Sequence, residues 1–254
     1  MLKVVVSGCN GHMGQIVAQL CGEMDNMEVC AGFDLLGAGS ADYPVFASPA
    51  LFSGQADAVV DFSSPAALNG LLEYGVSRRV PLVLATTGYS EEQLAAIDKA
   101  AAAVPIFRSG NMSLGINVLS SLVKKAAAAL GADFDVEVVE RHHNRKVDAP
   151  SGTALMLAAA AAEALPYEPE YVYDRQSVRR PRGKTEIGIS SVRGGNIVGD
   201  HEVIFAGRDE LVELKHSALS REVFASGALH AARYLSGVKK PGLYSMDDLV
   251  GSVI

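Results

Sequence analysis

The N-terminal run Val4-Val5-Val6-Ser7-Gly8-Cys9-Asn10-Gly11-His12-Met13-Gly14 opens as a buried strand and then breaks into glycines at every third residue. Ile16, Val17 and Leu20 follow at helical spacing, and a second apolar strand, Met27 to Phe33, ends at Asp34, twenty residues beyond Gly14. Strand, glycine turn, helix, strand and acid in this order make a dinucleotide-binding unit. The first glycine permits the tight turn, the next lets main chain approach a pyrophosphate, and the acid accepts from a ribose hydroxyl. The spacing G-x-x-G-x-x-G meets the usual fingerprint only loosely.

Outward from this stretch the alternation continues. Ala58 to Phe62 reads as a strand, and Ser63-Ser64-Pro65 opens a helix. Pro81 to Ala85 is a strand ending in Thr86-Thr87-Gly88, and Ser90 with Gln93 forms a capping box. Val104 to Phe107 is a further strand, ending in Ser109-Gly110-Asn111-Met112-Ser113. Strands alternating with helices imply a doubly wound parallel sheet with ligands at the strands' carboxyl ends. Asp34, Ser63, Thr86, Thr87 and residues 109–112 all fall there.

Beyond Ser113 the pattern changes. A long helix (Leu114 to Leu130) leads to a strand (Phe134 to Val139), then to a polar cluster, then to a helix over Ala154 to Leu165. A polar loop (166–184) precedes three strands, 186–192, 197–205 and 211–216, with hairpin turns expected at Gly194-Gly195-Asn196 and Gly207-Arg208-Asp209. The expected fold class is α/β: a Rossmann-type doubly wound parallel sheet plus a second α+β lobe with a mostly antiparallel sheet. The first domain spans 1–112 and is completed by 221–254. The second, for substrate and oligomerisation, spans 113–220.

The polar cluster, Glu140 to Asp148, carries two imidazoles, an ammonium and two carboxylates, and stops at Pro150. Ser151 is a candidate N-cap, with Gly152 and Thr153 in the first turn of the next helix. Helix-start N–H groups would face His142, His143 and Lys146, which makes a receptacle for anionic oxygens with proton donors beside it. Adjacent histidines point apart on a strand, and no Cys, third His or His-x-x-x-His spacing builds a zinc shell, so no metal is expected.

A net charge of −7 argues against nucleic acid and anionic membranes as partners. The one basic run, Arg175 to Lys184, reads as a solvated loop. No secretory signal precedes Lys3, and the longest apolar helix pattern, 154–165, is too short to span a bilayer. Three cysteines without C-x-x-C spacing suit a cytoplasmic protein with reduced thiols.

The combination G-x-x-G-x-M-G, D-F-S-x-P, T-T-G, S-G-N-x-S-x-G-x-N and E-x-H-H-x-x-K-x-D-A-P-S-G-T-A resembles the 4-hydroxy-tetrahydrodipicolinate reductase (dihydrodipicolinate reductase) family over nearly the whole chain. The resemblance implies reduction of the cyclic product of dihydrodipicolinate synthase to tetrahydrodipicolinate, on the bacterial route to diaminopimelate and lysine. It implies a small dicarboxylate substrate and a homotetramer joined through the second lobe. Gly8, Cys9, Asn10, Gly11, His12 and Met13 would hold the pyrophosphate, and Asp34 the adenosine ribose. Ala85, Thr86, Thr87, Ser109, Gly110, Asn111 and Met112 would line the nicotinamide end. His142 would stand at the proton donor/acceptor position and Lys146 at that of the proton donor, while His143, Gly152 and Thr153 would bind substrate carboxylate. The family usually has Arg where His12 stands and Gly where Ala85 stands. Asp34 followed by Leu35-Leu36-Gly37 offers a 2′-phosphate no cation, so NADH is the expected donor, ahead of NADPH. The competing readings are another two-lobe NAD(P)-dependent dehydrogenase, acting on a semialdehyde or sugar, and a non-enzymatic nucleotide-sensing regulator. The first would not need so many anion-binding groups around one turn; the second would usually carry a basic DNA-binding module.

Overall fold

The Val4-Val5-Val6 run is fully buried on both faces of its strand, β1 (Leu2–Ser7): Val4 and Val6 enter one apolar cluster and Val5 another. That two-sided burial is what a central parallel strand requires, and each such side chain contributes about 1.5–3 kcal/mol. A computed structural model describes residues 1–37 and 41–251 of the chain. It divides into two compact units, Met1–Leu114 with the chain from Glu222 onward, and Gly115–Arg221.

In the first unit β1 leads through α1 (His12–Glu23) to β2 (Met27–Phe33) and a short β3 (Val45–Phe46). The chain then returns to the other side of β1 as β4 (Ala58–Asp61). Next come α2 (Leu68–Arg78), β5 (Leu82–Leu84), α3 (Glu91–Ala101) and β6 (Pro105–Arg108). Pro65–Ala67 forms a short 3₁₀ turn before α2, so the expected helix start lies three residues later. The Ser90 and Gln93 capping box is present at the head of α3.

After the second unit the chain re-enters with α6 (Glu222–Gly237), β12 (Gly242–Tyr244) and α7 (Met246–Gly251). The sheet order is β12-β6-β5-β4-β1-β2-β3, parallel throughout. Because β1 lies between β2 and β4, the direction of winding reverses there, and the carboxyl ends of these strands frame a crevice. The tail thus supplies the edge strand β12, which has no periodic signal at three residues. The expected place of residues 252–254 in this unit lies outside the described residues.

The second unit begins within α4 (Leu114–Leu130), followed by β7 (Asp135–His142), α5 (Gly152–Ala162) and β8 (Glu170–Val172). β9 (Glu186–Arg193), β10 (Gly199–Ala206) and β11 (Leu211–Ala218) complete it. The order is β11-β10-β7-β9-β8, with β10 antiparallel to both β11 and β7, and with β7–β9 and β8–β9 parallel. The sheet is mixed and mostly antiparallel, as expected, but one expected hairpin is absent. Gly194-Gly195-Asn196 joins β9 to β10, which do not pair; β7 lies between them. That connection crosses the end of β7, donating from Gly194 N to His142 O and accepting at Gly195 O from Asn144 N. The turn at Gly207, by contrast, closes a true hairpin between β10 and β11.

Two further expectations are corrected. The basic run is not simply solvated: Arg175 and Arg182 pair with Glu137, Arg182 also with Asp135, and Arg175 and Arg180 with the buried Glu186. Arg182 also donates to the main-chain oxygen of Glu186. Carboxylates on the neighbouring strands β7 (Asp135, Glu137) and β9 (Glu186) attract the arginines, a pairing no local pattern announces. The longest apolar helix is α4, not the 154–165 stretch. With the turn after it, it is long and apolar enough to cross a membrane by length and composition. Its Ile116, Leu119, Val123 and Ala127 lie in the core of the second unit.

The period-two alternation of β7 positions the polar cluster. Val136 and Val138 point into the apolar layer under α4 and α5, so Glu140 and His142 continue on the same face. Register brings Ser191 and Arg193 of β9, and His201 of β10, to that face beside them.

Candidate active site

In the first unit, Gly8 turns the chain at the end of β1 with φ +76°, and its N–H donates to Phe33 O. A Cβ at Gly14 would stand 2.1 Å from Gly8 O, so α1 packs on the turn only because that position is glycine. Gly11 is the N-cap of α1 and offers no side-chain acceptor, and His12 begins the helix exposed. A helix start without its own cap, next to a glycine turn, suits an anionic group.

Asp34 latches the turn: its Oδ2 accepts from Asn10 N (3.1 Å) and its Oδ1 from Leu36 N (3.1 Å), while Asn10 Nδ2 donates to Gly37 O. A carboxylate has about four lone-pair positions, so two main-chain donors leave capacity for a ribose diol. A cleft of about 420 Å³ lies there, lined by Gly8, Gly11, Asp34, Leu35, Ser63 and Ser64 among others. These features fit a dinucleotide.

Cys9 and Met112 are buried in the core, so they have only main chain to offer. Met13 is half-buried against the same core. Ser109 Oγ donates to Asn111 O, and Asn111 Oδ1 accepts from Ser113 N, which shapes the turn after β6. Gly110 is exposed on that turn, and Gly227 of α6 leaves room for Met112 O, where a Cβ would come to 1.7 Å.

Asp61, a residue not singled out from the sequence, organises the strand ends between these turns. It is 1% exposed and accepts from Ser63 Oγ (2.5 Å), Ser63 N and Thr86 Oγ1 (2.7 Å), and its main-chain oxygen accepts from Ala85 N. Thr86 is therefore turned inward, while Thr87 is exposed.

In the second unit the polar cluster closes around Glu140, whose side chain is fully buried. His142 Nδ1 lies 2.5 Å from Glu140 Oε2, Arg193 donates two bonds of 2.7 Å to the two oxygens, and Ser151 N donates to Oε1. Burial alone would raise this carboxyl. The hydrogen bonds from Arg193, Ser191 and His142 outweigh burial and bring its pKa down to about 2. Ser151 caps α5 by accepting from Ala154 N, and its hydroxyl pairs with His201 Nε2 at 3.0 Å. His201 meets the His142 ring edge-on at 5.1 Å, and its pKa is lowered to about 4, by burial first and then by His142.

Lys146 lies in the turn after β7, half-buried and paired with Asp148 Oδ1 at 2.7 Å; this contact holds the Asp148 carboxyl below its usual range. His143 is half-buried with Nδ1 unpaired, and its pKa is lowered by desolvation, then by Arg145, Arg221, His142 and Lys146. That cationic surround is what an anionic substrate would meet. Gly152 is exposed, and nothing lies within 4 Å of a Cβ built there, so the head of α5 is open; Thr153 follows it in the first turn.

The structure thus gathers His142, His143, Lys146, Gly152 and Thr153 at one end of β7. Sequence reasoning missed Arg193, Ser191 and His201. Their positions 50–60 residues downstream carry no local signal, although an unpaired Glu two residues before a His could have prompted a search for a cation.

Comparison with known proteins agrees in both halves. Residues 2–112 match the family model for the dihydrodipicolinate reductase N-terminus and residues 115–250 that for its C-terminus. The chain is 52% identical over 250 residues to the 4-hydroxy-tetrahydrodipicolinate reductase of Caldanaerobacter subterraneus, covering 98% of each. It is 47% identical to that of Caulobacter vibrioides, covering 98% of this chain and 97% of the other. Among solved structures it is similar to a dipicolinate-bound dihydrodipicolinate reductase from Paenisporosarcina (TM-score 0.81, 26% identity, 96% and 97% covered). A diaminopimelate dehydrogenase from C. glutamicum shares the fold (TM-score 0.60, 15% identity, 98% and 95% covered).

Proposed function

The chain belongs to the dihydrodipicolinate reductase family, and on that premise we propose how its residues divide the reaction. It reduces 4-hydroxy-tetrahydrodipicolinate to tetrahydrodipicolinate with a reduced nicotinamide and loss of the 4-hydroxyl as water, a step of diaminopimelate and lysine biosynthesis. The nicotinamide supplies the hydride when bound. The turn from Gly8 to Met13 holds the pyrophosphate, Asp34 accepts from the adenosine ribose, and residues 85–87 and 109–112 line the nicotinamide end.

In the second unit the substrate carboxylates meet His143, Lys146 and the N–H groups at Gly152 and Thr153. Reduction of a conjugated imine carboxylate develops negative charge that must be taken up and protonated. Lys146 stabilises that charge as a cation and, with His142, supplies the proton. The observation that carries this reading is the His142 imidazole held at the end of β7 by a buried carboxylate, one turn from Lys146 and a capped helix start.

NADH is the favoured donor. Asp34 repels a 2′-phosphate, the exposed Leu35 and Leu36 offer no cation, and His12 stands where an arginine could have helped. The free cysteines, Cys9, Cys21 and Cys30, support a reducing cytoplasmic setting, and a homotetramer is the assembly implied by the family.

The decisive assay follows reduced-nicotinamide absorbance with freshly made synthase product. Turnover is expected; none with either NADH or NADPH would overturn the reading. Light scattering tests the tetramer.

A further inference from the structure

We propose that the Arg193–Glu140 pair is the positioning device of this active site, holding His142 as the Nδ1–H tautomer and tying the Lys146 turn to the same anchor. The inference rests on the assignment of His142 as proton donor.

A fully buried carboxylate with a bidentate arginine is an expensive way to fill space, since apolar residues of similar volume serve stability as well or better. Here the pair has a second output on each partner. Glu140 stays ionised and so can only accept, which requires that the 2.5 Å contact be donated by His142 Nδ1. The proton that His142 gives up is then the Nε2 proton of the imidazolium, and its loss leaves the neutral Nδ1–H ring with Nε2 as the free basic nitrogen. Nε2 borders Gly199, where a Cβ would come to 3.1 Å, so the ring also has a fixed plane to lie in. On the other side, Arg193 donates to Asp148 O (2.7 Å), and Asp148 Oδ1 holds Lys146 Nζ. One guanidinium therefore sets the height of the Lys146 turn and the charge state of the group that orients His142. Glu140 Oε1, accepting from Ser151 N, extends the same anchor to the head of α5.

The test compares Glu140→Gln, Arg193→Lys and His142→Ala, read by kcat, KM, NADH affinity, thermal melting and ¹⁵N NMR of the His142 ring. Glutamine can turn its NH₂ toward Nδ1 and accept the opposite tautomer, so Glu140→Gln should give a mixed tautomer signal. It should also lower kcat about tenfold or more, with KM and NADH affinity within about twofold. Native kcat in a folded Glu140→Gln variant, or a lowered kcat with the Nδ1–H signature intact, overturns the inference. Where Glu140→Gln fails to fold, Arg193→Lys keeps the charge but loses the fork. It should lower kcat several-fold and broaden the His142 signals; native values for both refute the proposal. Native kcat in His142→Ala would instead sink the assignment on which the inference rests, whatever Glu140→Gln does.

Discussion

At the glycine turn of the first unit the groups proposed to face the ligand are main-chain N–H groups, and what matters is the Cβ atoms that are missing at Gly8, Gly11 and Gly14. At the end of β7 in the second unit the groups are side chains: His142 and Arg193 on the buried Glu140 carboxylate, with Lys146 on Asp148 beside them. The first kind of site works mainly through main chain and is damaged mainly by added atoms. The second titrates and can be dismantled one group at a time. An oxidoreductase needs both, because a dinucleotide is held through every turnover whereas protons must move within each one.

The largest effect is expected where the second site is broken and the first is left alone. His142→Ala and Lys146→Ala should each lower kcat by about 10²-fold or more, with NADH affinity unchanged by titration calorimetry. If either variant keeps near-native kcat, its assigned role is wrong.

Next comes the titration that only the second site can show. His201 is held neutral, its pKa lowered from 6.5 to about 4. Between those values the unfolded chain takes up the proton and the folded chain does not, so stability must fall as pH drops through that window. The loss is on the order of 2–3 kcal/mol, read from urea unfolding at pH 7, 5.5 and 4.5. His201→Gln should flatten the dependence; an equally steep variant would assign it to another group.

A smaller effect probes where the second site borrows the material of the first. Gly152→Val should raise the substrate KM about tenfold by blocking main-chain approach, with an unchanged melt since its Cβ meets nothing within 4 Å. A folded variant with native KM would remove the head of α5 from the carboxylate site.

The smallest concerns the reverse loan, a side-chain charge at the main-chain site. NADH should be preferred over NADPH about tenfold in kcat/KM at matched low salt, roughly 1–2 kcal/mol, since the Asp34 repulsion is partly screened. Leu35→Arg should erode that preference; a native preference for NADPH would defeat the argument.

The same division explains what could be read in advance. The parallel sheet was legible because β1, β2, β4 and β5 announce themselves by short apolar runs and by the turns that follow them. The nucleotide turn was legible because glycine spacing is a local property. At the second site only residues within a few positions of His142 could be named in advance, and Glu140 was quoted within its motif without a role. Arg193 and His201 were not found, since strand register, set by burial across β9, β7 and β10, brings them in. The insertion of β7 between β9 and β10 defeated the hairpin expectation for the same reason: a glycine pair specifies a turn, not the neighbour of the strand it joins.

That insertion also sets an order in time. Glu140 waits for Arg193, 53 residues later, and Ser151 for His201, 50 residues later, so the proton centre exists only once β9 and β10 have closed on both sides of β7. Such long-range pairings are slow to form, whereas the hydrogen bonds that close the glycine turn reach only from Gly8 to Phe33 and from Asn10 to Asp34, about 25 residues on. A chain emerging from denaturant should therefore recover nucleotide binding before turnover, passing through a species that holds its coenzyme and does nothing with it.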